Sequence, residues 1–158
     1  MGLDVMIKRA KTEDAEEILD LQKLAYQSQA KIYNDYSLPP LTQTLEEVKV
    51  DFEDQIVLKA TISKRIIGSV RAYVDEETCY IGRLFVHPDF QNRGIGTELM
   101  NAIERTFNEA KRFRLFTGHR SDKSIYLYQK LGYKMIEIKR ITDGLSIIHM
   151  EKASAMPR

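Results

Sequence analysis

The sequence contains a single cysteine, Cys79, among its 158 residues. One cysteine cannot form an internal disulfide and excludes a cysteine-rich zinc site, so we expect no bound metal. The chain also lacks an apolar run of about 18 residues, which a membrane-spanning helix requires. Its first residues alternate apolar and charged side chains, unlike a secretion signal. These absences favour a reduced, cytoplasmic setting without a membrane partner.

The sequence has little excess charge of either sign. Lys and Arg together number 24 and Asp and Glu 23, which gives a formal net charge of +1. Because nucleic acids and anionic membrane surfaces attract a concentration of positive charge, neither partner is predicted. The length and the 43% apolar content are typical of one globular domain. We therefore expect a single domain over residues 1–158, with a tail at about 153–158 that frays.

Prolines are also few, and two of the four are adjacent. Pro39 and Pro40 are predicted to prevent a helix at that point, and Leu38 is predicted to be extended. Helical spacing predicts a first helix that fades near Gln29. A second, short helix is predicted to follow a capping box, in which Thr44 and the glutamate three residues later satisfy each other's main-chain amides.

Strand patterns fill most of the remaining chain. Strands are predicted at residues 5–10, 55–61, 65–76, 78–88 and 113–118, and a final hairpin is predicted around Asp143-Gly144. Two further helices are predicted, one beginning at the glycines near residue 95 and one capped by Ser121. The element order β-α-α-β-β-β-α-β-α-β-β predicts an α/β (mixed α+β) fold, a mixed sheet with helices on its faces.

The segment QNRGIG, residues 91–96, places two glycines where a strand has ended and a helix begins. The first turn of a helix presents unpaired N–H groups that favour an anion, and glycines let the main chain approach it. Arg93 adds a full positive charge, so a phosphate or diphosphate is the predicted ligand. A P-loop would need a Lys followed by Ser or Thr. A dinucleotide turn would need a third small residue where Leu99 stands, so neither pattern matches.

The segment VHPDFQNRGIG resembles the acyl-CoA-binding segment of the GNAT N-acetyltransferases, V-x-P-x-[FY]-[QR]-x-x-G-[IL]-G. SIYLYQKLGYK resembles the LYxKLGF signature of the same family. The resemblance implies a central, mostly antiparallel sheet of about 6–7 strands with a splayed parallel pair, flanked by about four helices. It also implies direct transfer of an acetyl group from acetyl-CoA to a primary amine of a small molecule or peptide. The alternative is a non-catalytic, regulatory module that binds acyl-CoA.

The resemblance also implies which residues bind acetyl-CoA. In the family, the diphosphate lies on the amides of the glycine turn, and the pantetheine arm pairs with the preceding strand where that strand splays. The matching residues are Asn92, Arg93, Gly94, Ile95, Gly96 and Thr97 in the turn, and Leu84, Phe85 and Val86 in the strand. Ser121 stands where many members carry an asparagine that contacts the cofactor. Its hydroxyl either replaces part of that contact or is only the helix N-cap.

Acyl transfer needs a neutral amine, a stabilised oxyanion and a good leaving thiolate. Tyr128 matches the family's general acid, which contacts the cofactor and assists the departing thiolate. The oxyanion donor would be a main-chain N–H near Phe85 or Val86. Phe116 stands where N-terminal protein acetyltransferases carry a glutamate, so the base is left open. His119 is one candidate, because its unperturbed pKa of about 6.5 suits proton acceptance, and a water chain is another.

The acceptor wall of the family varies among its members, and here it corresponds to residues 26–44. Tyrosines supply apolar faces with polar tips, and prolines stiffen such a segment. We therefore expect Tyr26, Tyr33, Tyr36 and Leu38 to contact a small, moderately apolar amine. A homodimer formed through the terminal strands is left open.

Overall fold

A seven-stranded sheet runs through the molecule in the computed structural model, which describes residues 4–154. Its strands are β1 (Met6–Arg9), β2 (Ile56–Ile62), β3 (Arg65–Asp75), β4 (Thr78–Val86), β5 (Arg112–Gly118), β6 (Lys134–Thr142) and β7 (Leu145–Ala153). They lie in the order β1-β2-β3-β4-β5-β7-β6, with β4 and β5 parallel and the other neighbours antiparallel. The predicted fold class is confirmed.

The helices are α1 (Ala15–Ala25), α2 (Gln27–Tyr33), α3 (Pro39–Thr42), α4 (Leu45–Asp54), α5 (Ile95–Thr106) and α6 (Asp122–Lys130). The predicted first helix is divided into α1 and α2, and α3 was not predicted. The expectation that Pro39 and Pro40 prevent a helix is wrong. A proline in the first turn lacks only an N–H that would have no helical partner, so both prolines fit at the start of α3. Leu38 is extended, as predicted, with φ −58° and ψ 142°.

Local sequence signals explain several element ends. In the capping box, Thr44 Oγ1 accepts from the Glu47 main-chain N–H at 3.2 Å, and Glu47 Oε1 accepts from the Thr44 N–H at 2.9 Å. Gly132 ends the helical segment after α6 with φ 102°, a value that glycine adopts without a steric penalty. The hairpin at Asp143-Gly144 joins β6 to β7, as predicted.

The sheet carries a hydrophobic core on each face. Leu99, Met100 and Ile103 of α5 are completely buried against the strands on one face, where their helical spacing places them on one side of the helix. On the other face, Ile18 of α1 packs in a cluster with Phe85 of β4. β3 therefore lies between two layers of helices, and its residues 66–72 are all buried.

β6 differs from β3 because all nine of its residues are exposed. It lies at the edge of the sheet, and Met135, Ile136, Ile138 and Ile141 are 46–57% exposed. β7 ends at Ala153, and residues 155–158 of the predicted frayed tail lie outside the described residues. The homodimer stays a prediction. In the described part of the chain, every helix is too short or too polar to cross a membrane.

Candidate active site

The parallel strands β4 and β5 pair over only three positions and then separate. The paired residues of β4 are 78–80, opposite residues 112–114 of β5, and the ladder stops before Ile81. Beyond this point the two strands leave a gap in the middle of the sheet. The predicted splayed parallel pair is confirmed.

A bulge in β4 accompanies the separation. Ser69 of β3 faces Phe85, whereas Arg71 faces Gly82, so β4 carries one more residue than β3 between these pairs. Arg83 lies in the bulge with φ 50°, in the left-handed region that a non-glycine residue seldom adopts. A bulge bends its strand and increases its twist, which turns this end of β4 away from β5.

One cavity of about 1790 Å³ extends from the gap across the face of the sheet towards α2 and α3. Most residues predicted for the site line it: Tyr26, Tyr33, Leu38, Leu84, Phe85, Val86, Asn92, Gly94, Ile95, Gly96, Thr97, His119, Ser121 and Tyr128. Two predicted residues do not. Tyr36 is 57% exposed, and the Arg93 guanidinium lies 5.4 Å from the centre of the Phe90 ring.

The glycine turn has the shape that an anion requires. Gly94 is the N-cap of α5 with φ 83°, and a Cβ built on it would meet no atom within 4 Å. No side chain in the described part of the chain caps α5, and the first main-chain bond of the helix runs from the Glu98 N–H to Gly94 O at 3.0 Å. The preceding N–H groups, of Ile95, Gly96 and Thr97, therefore belong to the first turn and lack helical acceptors. Open space beside uncapped amides fits a diphosphate.

Side chains satisfy two carbonyls of β4 beside the gap. The Tyr26 hydroxyl donates to Leu84 O at 3.3 Å, and Gln91 Nε2 donates to Val86 O at 3.1 Å. The Tyr26 ring packs edge-on against Phe85, with 6.0 Å between ring centres. These contacts hold the bent strand in place where β5 no longer supports it.

Tyr128 is buried, at 8% exposure, yet it lines the cavity. Its ring packs edge-on against Tyr133, and its hydroxyl makes no hydrogen bond to another residue of the described chain. Burial raises the pKa of Tyr128 above its ordinary value of 10.0, and the nearby Tyr26 raises it further. The hydroxyl therefore stays protonated at neutral pH and can donate a hydrogen bond to a ligand.

Ser121 and Tyr33 connect α2 to the turn before α6. Ser121 Oγ donates to Gln29 Oε1 at 2.5 Å, so in its 2.8 Å contact with Tyr33 it accepts from the tyrosine hydroxyl. Tyr33 Oη in turn accepts from the Arg120 main-chain N–H at 2.9 Å. Ser121 is the N-cap residue of α6, as predicted, although its side chain makes no capping bond. Its contact with the cofactor remains a prediction.

His119 lies exposed at the rim of the cavity. Its Nδ1 accepts from the Ser146 main-chain N–H at 3.0 Å, and its ring centre is 5.9 Å from that of Tyr33. Nδ1 also lies 3.1 Å from Ser146 O, to which it would donate in the other tautomer. Nδ1 is bound to Ser146 in either tautomer, and the role of His119 as a base stays a prediction.

Two neighbouring aromatic residues lie on the floor of the cavity. Phe116 is 57% exposed, and its ring centre is 5.6 Å from that of His149, its partner across β5 and β7. His149 was not predicted, and its Nε2 is buried without a hydrogen-bond partner. Residues 4–154 contain no group of three or more His, Cys, Asp or Glu side chains arranged to bind a metal.

Arg83 and Gln43 also line the cavity and were not predicted. Gly82 was an available signal for the first of them, because a glycine inside a strand often marks a bulge. No sequence signal links Gln43 to β4, since 40 residues separate it from Arg83.

Residues 21–154 match the acetyltransferase (GNAT) domain family. The chain belongs to this family. Its sheet with a splayed parallel pair is the GNAT fold that the resemblance implied.

Two curated relatives are 25% and 30% identical to this chain over the aligned residues. UPF0157 protein YqkA of Bacillus subtilis is 25% identical over 138 residues, which are 86% of this chain and 40% of that protein. Acetyltransferase ECA0875 of Pectobacterium atrosepticum is 30% identical over 104 residues, 65% of this chain and 72% of that protein. The chain thus matches less than half of the first relative and most of the second.

Solved GNAT structures share its fold. PaiA N-acetyltransferase from Thermoplasma acidophilum, in complex with coenzyme A, has a TM-score of 0.81 at 17% identity, over 96% of this chain and 99% of that one. The ribosomal-protein-S18-alanine N-acetyltransferase from Escherichia coli has a TM-score of 0.75 at 18% identity, over 98% and 97%.

Proposed function

We propose that this GNAT protein uses acetyl-CoA to acetylate a primary amine of a small molecule or peptide. One observation carries the proposal: the glycine turn, the separated end of β4 and Tyr128 all line the same cavity. A donor bound along the turn and the gap would therefore bring its thioester beside a protonated phenol. The coenzyme A in the PaiA structure supports this choice of donor.

Acetyl-CoA would be bound mainly by the main chain. The diphosphate would accept from the first amides of α5, between Asn92 and Thr97, where Gly94 leaves room for it. The pantetheine arm would pair with β4 along Leu84, Phe85 and Val86, on the side where β5 has separated. Ser121 is close enough to the gap to contribute, because it lines the same cavity.

The reaction forms a nitrogen–carbon bond and breaks a carbon–sulfur bond. The amine loses one proton and the sulfur gains one, so the transfer balances without another reactant. We propose that Tyr128 assists the departure of the sulfur. Its raised pKa keeps the proton available but makes its own anion costly, so its main contribution is a strong hydrogen bond to the departing sulfur. A main-chain N–H near Phe85 or Val86 would stabilise the charge that develops on the carbonyl oxygen.

The amine must reach the thioester from the side of the cavity that α2 and α3 form. Tyr26, Tyr33 and Leu38 line that side, together with Pro39. They favour a small, partly apolar amine. The base stays open between His119 and a water chain, since His119 Nδ1 is already bound to Ser146.

A screen of amines and peptide N-termini would test the proposal. The purified protein is mixed with acetyl-CoA and each acceptor, free thiol is measured over time, and the N-acetylated product is identified by mass spectrometry. We expect thiol release that depends on both protein and acceptor. Tight binding of acetyl-CoA with no acetylated product from any amine would instead support the non-catalytic acyl-CoA-binding module.

A further inference from the structure

A cluster of polar side chains lies beside the bulge of β4. Arg71, on the neighbouring strand β3, is only 1% exposed. It donates to Gln22 Oε1 at 2.8 Å, to Asp51 Oδ2 at 3.2 Å and to Gln43 Oε1 at 3.3 Å. A buried guanidinium is costly unless it is paired, and Asp51 provides that pairing here.

Arg83 enters the same cluster from the bulge. Its Nε donates to Gln43 Oε1 at 3.4 Å, so one amide oxygen links both guanidinium groups. Arg83 is half-buried, but no carboxylate in the described part of the chain lies within ion-pair distance of it. No group of residues 4–154 forms a hydrogen bond with its two terminal nitrogens. The cluster thus holds two arginines and one hydrogen-bonded carboxylate, that of Asp51. Glu47 lines a small cavity with Arg83 but forms no ion pair with it, so among the described residues the positive charge of Arg83 is unpaired.

The uncompensated charge lies on the acceptor side of the proposed reaction centre. Arg83 directly precedes Leu84, whose carbonyl accepts from Tyr26, and Arg83, Gln43 and Asp51 all line the cavity. Tyr26 and Tyr128 line the same cavity as Arg83. A group bound to Arg83 would therefore share this cavity with the sulfur side of the transfer.

We propose that the Arg83 guanidinium binds a carboxylate of the acceptor, so that the substrate is an amine carrying a carboxylate, such as an amino acid. The inference rests on the proposed N-acetyltransferase function and narrows its acceptor. Two free terminal nitrogens of one guanidinium match the two oxygens of a carboxylate. A single uncompensated positive charge matches a single negative one. A polyamine is disfavoured, because its cationic groups would approach the same guanidinium.

Gln43 is a positioning residue in this account. It holds Arg83 Nε through its side-chain oxygen, while its Nε2 donates to Asp51 Oδ2 at 2.8 Å. The amide thus orients one guanidinium and helps to fix the carboxylate that neutralises the other. This arrangement leaves the two terminal nitrogens of Arg83 to bind the substrate.

Matched acceptors with and without a carboxylate test the inference. Phenylalanine is compared with phenethylamine, and β-alanine with phosphoethanolamine, in wild type, Arg83→Gln, Arg83→Lys and the control Arg105→Gln on the exposed side of α5. We expect Arg83→Gln to lower kcat/KM for phenylalanine by about tenfold or more, mostly through KM, because a charge-assisted pair is lost. The value for phenethylamine should change less than about twofold, and Arg83→Lys should restore part of the loss.

Several outcomes would overturn the inference. One is wild-type kcat/KM for phenethylamine equal to that for phenylalanine, and another is an equal loss for both acceptors in Arg83→Gln. A preference for phosphoethanolamine over β-alanine would make the ligand a phosphate rather than a carboxylate. Circular dichroism of each variant shows whether Arg83→Gln still folds, and Arg83→Lys gives a second folded variant with the charge kept.

Binding of the products separates this inference from the proposed function. Calorimetry with N-acetylphenylalanine and N-acetylphenethylamine, in the presence of coenzyme A, needs no turnover. We expect Arg83→Gln to weaken only the carboxylated product, by about tenfold. Equal binding of that product by wild type and Arg83→Gln would overturn the inference. Carboxylate binding that depends on Arg83, without acetylation of any amine, would instead leave the inference standing and remove the proposed function.

Discussion

The two sides of the β4–β5 gap are built from different parts of the chain. The proposed cofactor side consists of main-chain groups from one continuous segment, β4 and the turn that leads into α5. The proposed acceptor side consists of side chains from α2, α3, the bulge of β4 and the outer strands. Main-chain amides present the same hydrogen-bond donors in any sequence that keeps the turn, whereas side chains change with every substitution. A binding site for acetyl-CoA that is built from the main chain can therefore stay constant while the side chains that bind the amine vary.

A substitution in the glycine turn should have the largest effect, because it alters the main-chain site that would bind acetyl-CoA. We expect Gly94→Asp to weaken acetyl-CoA binding by more than about 100-fold, since it adds a negative charge where the diphosphate would lie. Isothermal titration calorimetry measures the change.

Gly94→Asn is the matched control, because asparagine has nearly the same size, carries no charge and tolerates the left-handed φ of 83°. It should retain binding within about tenfold of wild type. Equal losses of acetyl-CoA affinity in Gly94→Asp and Gly94→Asn would mean that the shape of the side chain, rather than its charge, disrupts binding. Retained binding in Gly94→Asp would contradict the proposed diphosphate site.

Tyr128 stands between the two sides, and its loss should affect the rate rather than binding. We expect Tyr128→Phe to lower kcat by at least about tenfold, with little change in the dissociation constant of acetyl-CoA. Tyr126→Phe is the control, because Tyr126 is 67% exposed on the same helix. Equal kcat values for Tyr128→Phe and wild type would remove Tyr128 as the acid.

Tyr33 tests whether the acceptor wall depends on side-chain contacts. Tyr33→Phe removes a donor to Ser121 and an acceptor for the Arg120 N–H, so the free energy of unfolding should fall by about 1 kcal/mol. KM for the acceptor should rise about threefold, with acetyl-CoA affinity unchanged. Urea unfolding and steady-state kinetics measure the two effects. Tyr36 lies outside the cavity, so Tyr36→Phe should change neither the free energy of unfolding nor KM for the acceptor. Similar results for the two variants would contradict a role for the Tyr33 hydrogen bonds in the acceptor wall.

The pH dependence of kcat should show no titration of Tyr128. Burial raises the pKa of Tyr128 above 10.0, so its hydroxyl should remain protonated between about pH 7 and pH 10. The ratio of kcat in wild type to kcat in Tyr128→Phe isolates this group and should stay constant over that range. A ratio that declines towards one above about pH 9 would mean that Tyr128 ionises at an ordinary or lowered pKa.

The fold could be predicted because its signals are local and repeated. The alternation of apolar and polar residues predicted the strands, helical spacing of apolar residues predicted α5, and the capping box predicted the start of α4. α3 was missed because proline was treated as a general helix breaker, although it fits the first turn. The division at Tyr26 and the separation of the far end of β4 from β5 depend on tertiary packing, which no local pattern records.

The main-chain half of the candidate site could be predicted more fully than the contacts between its side chains. The glycine spacing at residues 94 and 96 indicates close approach of the main chain to a ligand, so the turn was recognisable. The Gln43–Arg83 contact joins residues 40 apart through a bulge, and the Ser121–Tyr33 bond joins residues 88 apart. Such contacts arise only when the sheet has formed. Tyr36 was predicted for its residue type alone, and the structure places it away from the cavity.

The central claim is that amides between Asn92 and Thr97 hold the diphosphate of coenzyme A. Amide-resolved NMR of the labelled protein, titrated with coenzyme A, tests it most directly. The account predicts that the N–H signals of Gly94, Ile95, Gly96 and Thr97 shift the most and saturate together. Signals of this turn that stay unchanged while coenzyme A binds elsewhere would contradict it.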